Sequence, residues 1–130
     1  MTLPRRFRLS GQTAFSNVFQ KAVVSADASF KVLARGNEQQ NSRLGMAVSR
    51  QVDKRAVARN RLKRVIRESF REHYQAAEKG HHADVIVLPR RQAVSQSNKM
   101  LFEQLSRHWN KIDDRVNRAR APATKNGDKT

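Results

Sequence analysis

The sequence has no cysteine, so its 130 residues can form neither a disulfide framework nor a thiolate site, and packing alone must hold the core. Acidic residues are scarce: 11 Asp and Glu stand against 27 Lys and Arg. The formal charge of +16 predicts strong, salt-sensitive attraction to nucleic acid or to an anionic membrane. Long apolar runs are missing too. No stretch approaches the roughly 18 residues of a transmembrane helix, and the opening MTLPRRFRLS lacks the hydrophobic segment of a signal peptide. A membrane partner therefore has no anchor here, and a cytoplasmic location is expected. Length fits one domain, and no internal repeat is visible.

The groups that build a nuclease site are equally sparse. The four histidines, His73, His81, His82 and His108, show no recognisable metal or acid–base spacing. His81 and His82 sit in a polar stretch, where a solvated pair is the better reading than the general acid–base pair of a two-histidine ribonuclease. A two-metal hydrolase needs carboxylates converging on one pocket. Asp113 and Asp114 are neighbours on a helical pattern and project about 100° apart. Asp84 opens a strand, and Asp53 stands alone before a helix whose N-terminus it can cap. There is no Gly-rich phosphate loop. Chemistry on a nucleic acid would have to come from a partner.

What the chain has in abundance is concentrated between residues 54 and 71, KRAVARNRLKRVIRESFR, which holds eight of the 27 basic residues and one carboxylate, Glu68. Wound as a helix, this stretch puts Leu62, Val65, Ile66, Ser69 and Phe70 on one side and Asn60, Arg64, Arg67 and Arg71 on the other, with Arg61 and Lys63 on the flanks. Exposed helices usually alternate charge, because like charges at i, i+4 cost about 0.2–0.5 kcal/mol each. This one accepts that cost. Guanidinium forks on a rigid helix pair bidentately with phosphate oxygens, so a polyanion site is preferred over a merely solvated face.

The run Arg59, Asn60, Arg61, then Lys63, Arg64, then Arg67, Glu68 resembles the signature of the bacterial ribonuclease P protein subunit, in which an RNR motif opens the main helix. The preceding Leu44-Gly45-Met46-Ala47-Val48-Ser49-Arg50 is similar to the strand that leads into it. Relatives often carry two lysines and a glycine after the Val-Ser pair, where this chain reads Arg50, Gln51, Val52, Asp53. The resemblance spans about residues 3–118. It implies a subunit of a ribonucleoprotein whose RNA carries the active site, binds Mg²⁺ and cleaves precursor tRNA to the mature 5′ end. By that resemblance the RNA subunit is bound by Arg59, Asn60, Arg61, Lys63, Arg64, Arg67 and Arg71. The unpaired 5′ leader is met by Phe15, Phe19, Phe30, Lys31, Val32 and Arg35, with one protein monomer per RNA.

In order, residues 1–9 read as a basic arm carrying Arg5, Arg6 and Arg8, ordered on a partner or frayed. Ser10 can cap a helix reaching Val23, with Phe15, Val18, Phe19 and Ala22 on one face. The two phenylalanines fit a core or a groove, and the pattern does not choose. Residues 29–35 alternate as a strand, Phe30, Val32 and Ala34 on one face and Lys31, Leu33 and Arg35 on the other. A polar turn over residues 36–42 and a strand over 43–50 suggest an antiparallel hairpin, in which Gly45 marks a close approach. The cationic helix should end near Tyr74, and a polar link over 75–83 leads to the apolar run 84–88, a central strand parallel to 43–50. Arg90 and Arg91 follow at its exit. Ser95 or Ser97 can cap a last helix with Leu101, Leu105, His108, Ile112 and Val116 inward, and Trp109 as a packing residue.

The expected fold is thus α+β, a single domain over 1–118 with a three-stranded core sheet in α-β-β-α-β-α order, room for a further short strand, and a disordered tail at 119–130. Ordinary chirality would make the strand–helix–strand crossover right-handed; the resemblance implies the left-handed exception. Two rivals share the charge. A DNA-binding module would lay the helix in a major groove, but three strands argue against an all-helical unit. A ribosomal protein would combine similar charge and fold without taking part in turnover.

Overall fold

The computed structural model describes residues 3–37, 41–75 and 82–120, apart from the side chains of Gln75 and Arg120. Seven regular elements follow one another: α1 (Gln12–Gln20), β1 (Val23–Ala26), β2 (Phe30–Asn37), β3 (Arg43–Met46), α2 (Ala56–Phe70), β4 (His82–Pro89) and α3 (Asn98–Arg120). The sheet has four strands in the order β1-β2-β4-β3, not three. The extra strand is β1. It starts at Val23, the last residue of the expected helix, because α1 stops at Gln20 and the β-branched Val23 and Val24 pair with Ala34 and Leu33. At the other end of α1 it is Gly11, at φ 94°, and not Ser10 that precedes the first turn, and no side chain caps it.

The hairpin expected between β2 and β3 does not form. β4 inserts between them, antiparallel to β2 from Phe30↔Pro89 to Asn37↔His82 and parallel to β3 from Arg43↔Asp84 to Met46↔Val87. The parallel pairing agrees with the strand–helix–strand reading. β4 is central as its unbroken apolar run requires, with Val85, Ile86 and Val87 wholly buried. Asp84 locks this arrangement: its two oxygens take Nε and Nη2 of Arg43 at 2.8 and 2.7 Å, and Oδ1 also accepts from Asn37 Nδ2 at 2.6 Å. The connections at 38–40 and 76–81, which include His81, lie outside the described residues, as does 121–130 of the expected tail.

One face of the sheet carries the main core. Phe30, Val32 and Ala34 of β2 and Val85 and Val87 of β4 meet Leu62, Val65, Ile66 and Phe70 of α2 and Leu101, Leu105, Trp109, Ile112 and Val116 of α3. Every apolar position assigned to the inner stripes of these helices is buried. Ser97 Oγ accepts the Met100 N–H at 3.1 Å and caps α3, which continues to Arg120, past the expected domain end. Trp109 is a packing residue whose Nε1 donates to Ser69 Oγ at 2.8 Å. His108, buried on the same helix, contacts Ser25 Oγ through Nδ1 at 2.7 Å and lies 2.9 Å from Asp27 through Nε2. Burial pushes its imidazole below the ordinary value, against the opposing pull of Asp27.

α1 covers part of the opposite face, where Val18 joins Leu33, Ile86 and Leu9 in a smaller cluster. Residues 3–9 of the basic arm are docked without a partner, Leu3 and Phe7 in the main core and Leu9 in this smaller cluster. Leu3, Phe7 and Leu9 are buried, and the Leu9 N–H donates to the Leu44 carbonyl at 2.8 Å, so the arm's apolar residues anchor it while its arginines stay exposed. No described helix is long and apolar enough to cross a membrane.

Candidate nucleic-acid interface

The cationic helix forms as its period requires, but its seven expected RNA contacts fall into two groups. Arg59 folds back over the start of α2, its Nη1 donating to the carbonyls of Asp53 and Lys54 at 3.0 and 2.8 Å. Arg61 is spent on the approach to α3: Nε donates to Asn98 Oδ1 at 2.9 Å, Nη1 to the Val94 carbonyl at 3.2 Å, and Nη2 to the Gln96 carbonyl. Both arginines of the RNR triplet are therefore committed to backbone oxygens within the chain. Spacing alone could not show this for Arg61, because its partners lie more than 30 residues away.

The side chains of the other five, Asn60, Lys63, Arg64, Arg67 and Arg71, have no hydrogen bond or ion pair among the described residues. Asn60 and Arg64 are exposed. Arg67 Nε and Arg71 Nη2 are buried without a partner among the described residues, an arrangement folding does not favour unless something else satisfies it. Asp53 offers these cations no relief. The Arg55 guanidinium and backbone N–H hold its carboxyl down at about 2, and it stays with Arg55 at the head of the helix.

Arg61 gives a direct test of this division. Replacing it by alanine should remove three hydrogen bonds and leave two carbonyls to water, lowering stability by about 2 kcal/mol and the melting temperature by roughly 6–10 °C. Lysine should not rescue it, since an ammonium cannot reproduce the fork. An unchanged melting temperature with lost RNA affinity would return Arg61 to the RNA-facing set.

The six residues expected at the leader divide by face. Phe30 and Val32 are fully buried in the main core, on the side of β2 that faces α3, and cannot line an open groove. Strand alternation puts Lys31, Leu33 and Arg35 on the other side, beneath α1. There Lys31 is exposed, and Arg35 Nη1 donates to the Asn17 carbonyl of α1 at 2.8 Å. Phe19 is half exposed, 50% of its surface open, and its ring centroid lies 6.5 Å from that of Phe15. Phe15 is more enclosed. It lies over Gly45, where an added Cβ would come 2.6 Å from Phe15 Cζ, so the glycine is what lets the ring settle on β3.

A cavity of about 420 Å³ joins the two sets of residues. Phe15 and Gly45 form one wall and Arg67 of α2 another, with Arg8, Leu9 and Met46 completing it. Arg8 of the basic arm and Met46 of β3 are not among the expected leader contacts; the bridge between Arg8 and Leu44 brings the arm beside β3. A second basic spot lies at the carboxyl ends of β3 and β4, where Arg91 Nε donates to the Gln51 carbonyl at 2.9 Å and Arg90 is exposed. Among the described residues, no three of His, Cys, Asp and Glu are close enough to hold a metal ion. The exposed Lys31 and Arg64 can neutralise phosphate, and the half-exposed Phe19 ring can stack on a base.

The chain is similar to known proteins in sequence and in fold. A model of the ribonuclease P family matches residues 3–113. The ribonuclease P protein component of Methylococcus capsulatus is 42% identical over 106 residues, covering 82% of this chain and 80% of that protein. That of Pseudoalteromonas atlantica is 36% identical over 115 residues, covering 88% and 93%. Among solved structures, the Staphylococcus aureus RNase P protein superposes with a TM-score of 0.70 at 30% identity, over 80% of this chain and 93% of that one. The Thermotoga maritima protein gives 0.66 at 31%, over 81% and 94%. With the family's pattern matched over most of its length and the same α+β domain beneath it, this chain belongs to the ribonuclease P family of protein components, part of a tRNA-processing endoribonuclease.

Proposed function

We propose that this chain binds the catalytic RNA of ribonuclease P through the outer face of α2, holds the 5′ leader of precursor tRNA under α1, and so assists Mg²⁺-dependent removal of that leader. The observation that carries the reading is the set of unpartnered polar side chains on α2, four of them cations. A merely solvated helix would have no reason to bury Arg67 Nε and Arg71 Nη2 without acceptors. Phosphate oxygens would supply them, and a folded RNA presents them at regular spacing. Phe19, Lys31, Arg35 and the Phe15 cavity suit an unpaired strand, which exposes bases for stacking. Mg²⁺ would be held mainly by the RNA, since the described carboxylates are dispersed and Asp53 and Asp84 are engaged by arginines. One monomer per RNA, working in the cytoplasm, completes the proposal.

Reconstitution tests it. The purified protein alone should leave precursor tRNA intact, and with its RNA subunit it should restore cleavage at Mg²⁺ concentrations too low for the RNA by itself. Specific cleavage at the mature 5′ end by the RNA-free protein would overturn the assignment of chemistry to the RNA.

A further inference from the structure

A second cavity, of about 350 Å³, opens where the end of α1, the β1–β2 pair and the last turns of α3 meet. We propose that this cavity takes one unpaired nucleotide of the leader, upstream of the stretch held under α1, with Lys21 and Arg35 on its phosphates and Val23, Ala34 and Val116 beneath its base. The inference rests on the leader reading and extends it to a new place on the surface. The volume lies within the roughly 300–1,000 Å³ of ligand sites, at the small end suited to a single base. Its floor is apolar: Val23 and Ala34 are direct partners across the β1–β2 pair, and Val116 of α3 closes it from the other layer. Its rim is cationic, with no carboxylate among the lining residues. Lys21 is exposed, and its ammonium group has no hydrogen bond or ion pair among the described residues. Arg35 uses one amino group on the Asn17 carbonyl, which leaves the rest of its fork free to turn outward.

Arg35 also fixes the direction of the strand. It belongs both to the face of β2 under α1 and to the cavity rim, so an RNA following Lys31 and Arg35 along β2 arrives at Lys21. The concave shape selects single-stranded RNA, because a duplex keeps its bases stacked and has none to insert. A phosphate gains from the cationic rim.

The test uses the reconstituted protein–RNA complex and precursor tRNAs whose leaders are lengthened one nucleotide at a time. In the unaltered complex, affinity should rise again once the leader is long enough to pass Arg35. Lys21→Ala should reduce that late gain about fivefold, the upper end for one exposed ion pair, and flatten the salt dependence of long-leader binding by about 0.7 in log–log slope. Ala119→Trp, which fills the cavity from an exposed position on α3 without changing charge, should reduce the same gain and leave the salt slope alone. Short-leader and mature tRNA should bind both variants normally. If both variants keep the full late gain while leader-bearing tRNA is still preferred over mature tRNA, the cavity is not a leader site. If the unaltered complex binds the two tRNAs equally well, the leader reading itself fails and this inference falls with it.

Discussion

Replacing Asn60, Arg64 and Arg67 together by alanine should weaken binding of the RNA subunit by about a hundredfold and leave the fold intact. The affinity estimate takes about 1.5 kcal/mol for each of two charge-assisted contacts, about 3 kcal/mol in all. Salt supplies the sharper signature. Two lost phosphate contacts should flatten the log–log dependence of affinity on salt by about 1.4–1.8, at 0.7–0.9 per charge. Neutral Asn60 should cost a hydrogen bond without altering that slope. Stability should barely move, because Leu62, Ile66 and Phe70 are untouched and Arg67 contributes a buried, unpartnered Nε whose removal relieves desolvation. The contrast with Arg61→Ala, which should destabilise, is the reason to measure both. A triple variant that binds the RNA subunit with an unaltered salt slope would show the face to be only solvated.

The cationic helix was legible because its information is local. Burial of Leu62, Val65, Ile66, Ser69 and Phe70 follows from a period that eighteen residues suffice to display. Long-range commitments were not legible. Arg61 looked like its neighbours until the segment before α3 came within reach of its fork. The hairpin between β2 and β3 was the natural reading of two consecutive strands. Nothing in either strand says that β4 pairs with both, and only the fully apolar character of β4 hinted that it had neighbours on each side. Sequence leaves room for a further short strand but does not place β1, because four residues are too few to display a period of their own. Arginines dominate the arm's sequence, whereas its position is set by the buried Leu3, Phe7 and Leu9. Phe30 and Val32 are a different kind of error. Alternation had already put them opposite Lys31 and Arg35, and grouping all four in one groove set that rule aside.

Replacing Phe19 by leucine should weaken binding of precursor tRNA by roughly 5- to 150-fold, the range that about 1–3 kcal/mol of base stacking allows. Mature tRNA, which lacks the leader, should bind as before, and assembly with the RNA subunit should be nearly intact. The structure sharpens the expectation by separating the two phenylalanines that the sequence treats alike. Phe19 is half exposed, so leucine removes little buried surface and the melting temperature should stay within a degree or two of the original. Phe15 sits over Gly45 and packs against the cluster of Leu9, Val18, Leu33 and Ile86, so leucine there leaves a partial void and should lower stability by about 1 kcal/mol. Phe15→Leu should therefore show both effects, reduced stability and a loss specific to precursor tRNA, whereas Phe19→Leu should show only the second. Precursor and mature tRNA affinities measured beside thermal unfolding distinguish the cases. Equal losses for both tRNAs, accompanied by reduced stability in the Phe19 variant, would make α1 a structural helix and sink the leader groove.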